Sequence, residues 1–197
     1  ANDMLTLRSA DLALALDPLA GGAQSLTARV RVTNLSGHKL PTGYAEGRRM
    51  WLQVEASIGA GPPFWRSGDY DEASGTLTED TQAKVYEIQQ GIWNASSGEC
   101  AISDALGRKV FHFATSDCIR KDNRIPPRGF TNAVFAEFGG APVGHEYADG
   151  QYWDDTLYTL PAGATRADVK LFYQSTSKEF VEFLRDENRT NTKGQEM

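Results

Sequence analysis

Residues 30–54, VRVTNLSGHKLPTGYAEGRRMWLQV, constrain this chain more than any other stretch. Val30 and Val32 alternate with Arg31 and Thr33, while Met50, Leu52 and Val54 alternate with Trp51 and Gln53. A period of two puts successive side chains on opposite faces, so each run reads as a half-buried strand. Between them, Gly37, Pro41, Gly43 and Gly47 force turns. The same connector gathers His38, Tyr44, Glu46, Arg48 and Arg49 into a short space. A connector this long is either a ligand-binding loop or a compact Ω-loop whose polar groups satisfy one another.

Similar strand patterns recur along the chain. Residues 5–16, 24–34, 50–58, 84–93, 109–114, 130–138 and 168–174 carry alternating or β-forming runs. Asp17-Pro18, Gly21-Gly22 and residues 59–63 break them, and residues 121–129 cannot be regular because Pro126 and Pro127 lack amide donors. One helix is expected near the end. Thr176 and Glu179 stand at capping-box spacing, and Phe180, Val181, Phe183 and Leu184 fall on one stripe. From about residue 187 the tail is polar. This pattern predicts a single all-β domain over residues 1–197, with long ordered loops and one short C-terminal helix. The architecture expected is a β-sandwich with Greek-key or jelly-roll connections, and a partly closed barrel is the alternative.

The formal net charge is −6 and no segment carries a basic stripe, which argues against a nucleic-acid partner. No run approaches 18 apolar residues, so no transmembrane segment is expected. The chain opens at Ala1 without an initiator Met or an apolar leader, as a mature exported chain or a trimmed one would. Its two cysteines, Cys100 and Cys118, lie 18 positions apart with no CxxC and no CxxCH. Covalent haem attachment is therefore excluded in this chain, and a cysteine zinc site is disfavoured. The pair forms a disulfide in an oxidising compartment or stays as two buried thiols in a reducing one. No GxSxG, HExxH, P-loop or dinucleotide fingerprint is present, so no enzymatic activity is expected. Asp154 and Asp155 are adjacent and on a strand would face opposite sides, which denies them a joint acid–base role.

Metal chemistry remains open to three histidines, His38, His112 and His145. His112 alternates away from Phe111 and Phe113; with those rings in the core, it turns towards a surface the connector can cover. Two imidazoles from separate segments suit copper, zinc or iron, with His145 the next candidate. The competing reading of each is a hydrogen-bonded structural histidine. Asp69 and Asp71, in SGDYDEASG, offer oxygens to calcium or simply shape a polar turn. Arg48 and Arg49 with Glu46, and Arg124 with Asp122, suggest ion pairs joining the connector to residues 121–129, or an anion site.

Four separated motifs carry a resemblance. They are NLSGHKLPTGYAEGRRMWLQV, FHF followed by KDNRIPPRGF, DGQYWDDTLYTLP and YQSTSKEFVEFLRDENRTN, together covering most of residues 30–191. They resemble a domain at the C-terminal end of bacterial multihaem cytochromes c, and the methanotroph surface copper-binding proteins of the MopE and CorA (copper-repressible) family. The resemblance implies a secreted, cell-surface or periplasmic β-sandwich. In the copper-binding members it implies a mononuclear Cu(I) site of two histidines, a water and a kynurenine made from tryptophan. The histidines carry over to His38 and His112. A tryptophan is expected two residues before a ligand histidine, yet Ser36, Val110 and Val143 stand there, and Trp51 is the nearest alternative. The expectation is thus a non-enzymatic copper-binding protein. Its rival is a haem-free accessory or docking domain that meets a multihaem cytochrome c, or an outer-membrane surface, in extracellular electron transfer.

Overall fold

The computed structural model describes residues 9–18, 26–44, 46–104, 106–109, 111 and 114–193. The two runs flanking the connector become the spines of two antiparallel sheets. In the first, β2 (Leu26–Asn34) lies between β1 (Ala10–Pro18) and β11 (Trp153–Thr159). In the second, β3 (Arg49–Ser57) pairs with β12 (Arg166–Gln174), β4 (Trp65–Ser67) and β7 (Lys84–Tyr86). Among the described residues the sheets do not close into a barrel, so the architecture is the sandwich-like all-β one expected.

The core explains this layering. Ala28, Val30 and Val32 of β2 join Met50, Leu52, Val54 and Ala56 of β3 in one buried cluster, with Tyr86, Ile125, Tyr158 and Leu160. Each fully buried aliphatic side chain stabilises the fold by roughly 1.5–3 kcal/mol, so this interface dominates the energetics. β2 is buried only on its inner face, with Arg29 and Arg31 outside. β3 is covered on both. Its second face carries Trp51, which packs with Leu77, Val85, Tyr70 and Phe172 in a smaller cluster. A short hairpin of β5 (Tyr70–Asp71) and β6 (Thr76–Leu77) supplies that cover.

A third sheet orders β10 (Cys118–Asp122), β8 (Ile88–Asn94) and β9 (Glu99–Ala101). Cys100 and Cys118 are bonded across it, with their Cα atoms 5.9 Å apart. This disulfide closes a loop of 18 positions and stabilises the fold by roughly 3 kcal/mol on a chain-entropy argument.

Two local expectations are corrected. Residues 130–138 do not continue as a strand; Asn132–Glu137 form a short helix, α1. Asp149 accepts from both the amide and the side chain of Asn132, which fixes the first turn, and Gly139-Gly140 ends it. The alternation of Phe130 and Phe138 had mimicked a strand, whereas Phe130 is buried and Phe138 exposed. The C-terminal helix α2 (Lys178–Glu187) is capped by Ser177, not Thr176: Ser177 Oγ accepts from the Phe180 amide. Gly47 explains why α2 docks on the connector. Its φ is +67°, its carbonyl accepts from the Ser177 amide, and a Cβ there would lie 2.5 Å from the Phe180 Cβ.

Candidate functional site

The connector and residues 121–129 meet at one end of the sandwich. Leu40 and Ile125 exchange backbone hydrogen bonds, so the two loops form a single antiparallel contact. Asn34, at the end of β2 and almost fully buried, pins both. Its Nδ2 donates to the carbonyls of His38, Ile125 and Pro126, at 2.7, 2.9 and 3.0 Å. Its Oδ1 accepts from the Ser36 amide and hydroxyl. The expected ion pair between the loops is present with a lysine in the arginine's place. Lys39 Nζ donates to Asp122 at 2.7 Å, and Arg124 grips the same carboxylate through Nε and Nη2, each at 2.8 Å. Burial opposes charge on Asp122, but Arg124 and Lys39 outweigh it and hold the carboxyl below its usual range. Burial also lowers the Lys39 ammonium, and Asp122 offsets that only in part.

A second buried carboxylate lies on β11. Asp154 accepts from His145 Nε2 at 2.8 Å, Lys84 Nζ at 3.0 Å and Tyr86 OH at 2.9 Å. Burial would raise its carboxyl; the bonds from His145, Lys84 and Tyr86 prevail and place it well below the ordinary range. Its neighbour Asp155 turns outward to Arg31, so the two acids do face opposite sides. Asn123 ties the clusters together. It accepts from the Glu87 amide, donates to the Val85 carbonyl, and its own carbonyl takes the Tyr147 hydroxyl.

Beneath α2 the pattern reverses. A cavity of about 40 Å³ is bounded by Glu46, Arg48, Arg49, Gln90, Lys109 and Glu179, among others. Seven buried side-chain nitrogen or oxygen atoms among the described residues lack a hydrogen-bond partner, and five belong to this lining: Glu46 Oε2, Arg48 Nε, Arg49 Nη2, Gln90 Oε1 and Glu179 Oε2. Buried polar groups are normally satisfied. One water occupies about 30 Å³, so the space suits a water or two bridging these atoms. Among the described residues no cation pairs with it, and burial pushes the Glu46 carboxyl upward.

The expected site residues are scattered. His38 is exposed at the rim of an open cavity of about 340 Å³ that it shares with Lys39, Thr42, Gly43 and Arg124. His112 lies outside the described residues. Phe111, beside it, packs edge-on against Phe180 and Phe183. His145 is committed to Asp154. Trp51 is buried, stacked on Phe172 at 5.1 Å and flanked by Tyr70, within the second cluster. Asp69 accepts from Arg66 at 2.8 Å; Asp71 accepts from the Ala73 amide and the Ser74 hydroxyl. Among the described residues no three His, Cys, Asp or Glu side chains gather as a metal site. Sequence reasoning missed Asn34, Lys39, Lys84 and Asp154 as the organising polar residues. The one available signal was Asn34-Leu35-Ser36 directly after a strand, a turn-forming spacing.

The chain matches no protein-family model and no curated protein. Its structure aligns with the crystal structure of a penta-heme cytochrome c552 from Thermochromatium tepidum, at 18% identity and a TM-score of 0.56. The fold is similar to that of part of this cytochrome. The alignment covers 97% of this chain and 37% of that one, so the chain spans well under half the length of the cytochrome it resembles. No helix among the described residues is long and apolar enough to cross a membrane.

Proposed function

We propose that this chain is a haem-free β-sandwich module that works beside a multihaem cytochrome c, as an accessory or docking domain in extracellular electron transfer. The observation that carries this reading is the alignment of nearly the whole chain with part of a penta-heme cytochrome, in a sequence with no CxxCH. Both cysteines are bonded to each other, which leaves no thiol for a thioether link to haem. Residues 1–197 thus carry no covalent haem site of their own. The disulfide fits an exported chain at the cell surface or in the periplasm. The role is positional rather than catalytic: the Asn34, Asp122 and Asp154 networks hold the loop end in one conformation, as a docking platform requires.

Copper held by His38 and His112 is the competing chemistry. Against it stands the cavity His38 shares with Lys39 and Arg124, whose charges raise the cost of bringing in a cation. Calcium at Asp69 and Asp71 would have to displace Arg66 from Asp69. Crosslinking of the intact native surface fraction, read by mass spectrometry, tests the docking reading. Peptides of this chain joined to a protein with repeated CxxCH motifs are expected. Crosslinks found only to proteins lacking such motifs would overturn it.

A further inference from the structure

The open cavity at the loop end has a charge balance that neither metal binding nor docking explains. Its lining is His38, Lys39, Thr42, Gly43 and Arg124, with no carboxylate among them. The nearest acid is Asp122, buried behind Lys39 and Arg124. Its Oδ2 already accepts from Lys39 and Arg124, and its Oδ1 from the Arg124 side chain and amide. One carboxylate thus faces two full positive charges and has no capacity left. Lys39 uses one of its three N–H donors on Asp122, and the Arg124 Nη1 group donates to none of the described residues. The Thr42 carbonyl is occupied as well, because it takes Arg48 Nη1 at 2.6 Å. That contact brings a third cationic side chain, and a second guanidinium, against Gly43, where an added Cβ would run into Arg48 Nη1.

Lys39 is the decisive residue. It lines the cavity, its side chain is 8% exposed with Nζ held between Asp122 and the Phe135 ring, and burial makes that charge costly. A lining with two cations, spare N–H donors on both and no carboxylate is complementary to a compact anion with two or more oxygens. Arg124 at 16% and the exposed His38 and Thr42 leave the mouth open to such a group.

We propose that this cavity is an oxyanion site for a carboxylate or phosphate group, held by Arg124 and Lys39 with His38 and Thr42 at its rim. The inference does not depend on the cytochrome reading, and either can fail without the other. Titration of the whole chain with malonate, inorganic phosphate and chloride at fixed ionic strength, followed by calorimetry and amide NMR, tests it. Saturable binding of malonate or phosphate, with shifts centred on the Lys39, Gly43 and Arg124 amides, is expected. The tighter of the two identifies the class. Arg124→Gln should weaken binding about tenfold or more, since it removes a charge-assisted donor. Should Arg124→Gln fail to fold, His38→Gln and Thr42→Val, both at the rim, serve instead and should weaken binding about threefold. Binding no stronger than that of chloride, an adventitious ion only, or shifts confined to other surfaces, would overturn the proposal.

Discussion

The two ends of the connector solve the same problem in opposite ways. At its start, Asn34, Lys39, Asp122 and Arg124 bring polar groups together so that every Asp122 oxygen and the Asn34 amide is bonded, with spare donors only on the two cations. At its finish, Glu46 and Arg49 are as deeply buried, yet atoms of both lack partners, as do Gln90 and Glu179 across the cavity. The first end spends its polar groups on rigidity, since each carboxylate oxygen and amide is answered by protein. The second is held by packing of α2 on Gly47 and Phe111 and by the bonds from Arg49 to Gln174 and Glu179, yet it leaves five buried polar atoms without a protein partner. Burial alone therefore does not say whether a charge is structural; the number of answered atoms does.

The sharpest break of this contrast is at Asp154 or Asp122. Replacing either by Ala strands buried cations and should cost about 3–5 kcal/mol in urea unfolding. Asn34→Ala should follow at about 2–3 kcal/mol, because three carbonyls lose their donor. At the other end, Glu46→Gln removes a buried charge with no cation on it and should raise stability at pH 7 by about 1 kcal/mol. Smallest of all, Arg31→Ala at the exposed Asp155 pair should cost about 0.5 kcal/mol or less.

Acid separates the ends by sign. The folded carboxyls of Asp122 and Asp154 lie below their unfolded value of about 3.9, so their contribution is present above that pH and lost as pH falls below it. Glu46 is raised when folded, so its charge works against folding as pH rises past about 4.3. Thermal midpoints measured between pH 2 and pH 7 should show Asp154→Asn flattening the acid limb and Glu46→Gln lifting only the neutral plateau.

Much of this fold was legible because it rests on periodicity. The alternation around Val30 and Leu52 placed both spines, and the two cysteines met as their isolation implied. Phe130 and Phe138 misled because two aromatic residues at even spacing look like one face of a strand, when turn chemistry at Asn132 and Gly139 decides the local structure. The candidate site was less legible. His38, Asp122 and Arg124 were marked as chemistry-bearing, but the pairing of Lys39 with Asp122 spans 83 positions, and no local pattern encodes it. Alternation separates Asp154 from Asp155 onto opposite faces without saying which face is buried. Only the register of β11 on β2 shows which of the two acids turns inward.

Haem and metal quantification of the chain isolated under mild conditions from its native source tests the functional account most directly. The expected result is c-type haem absorption that co-elutes with the chain in fixed proportion, and a separated chain carrying neither haem nor stoichiometric copper. A chain that elutes free of any haem protein, with copper bound one to one, would contradict the account and return His38 and His112 to the centre of it.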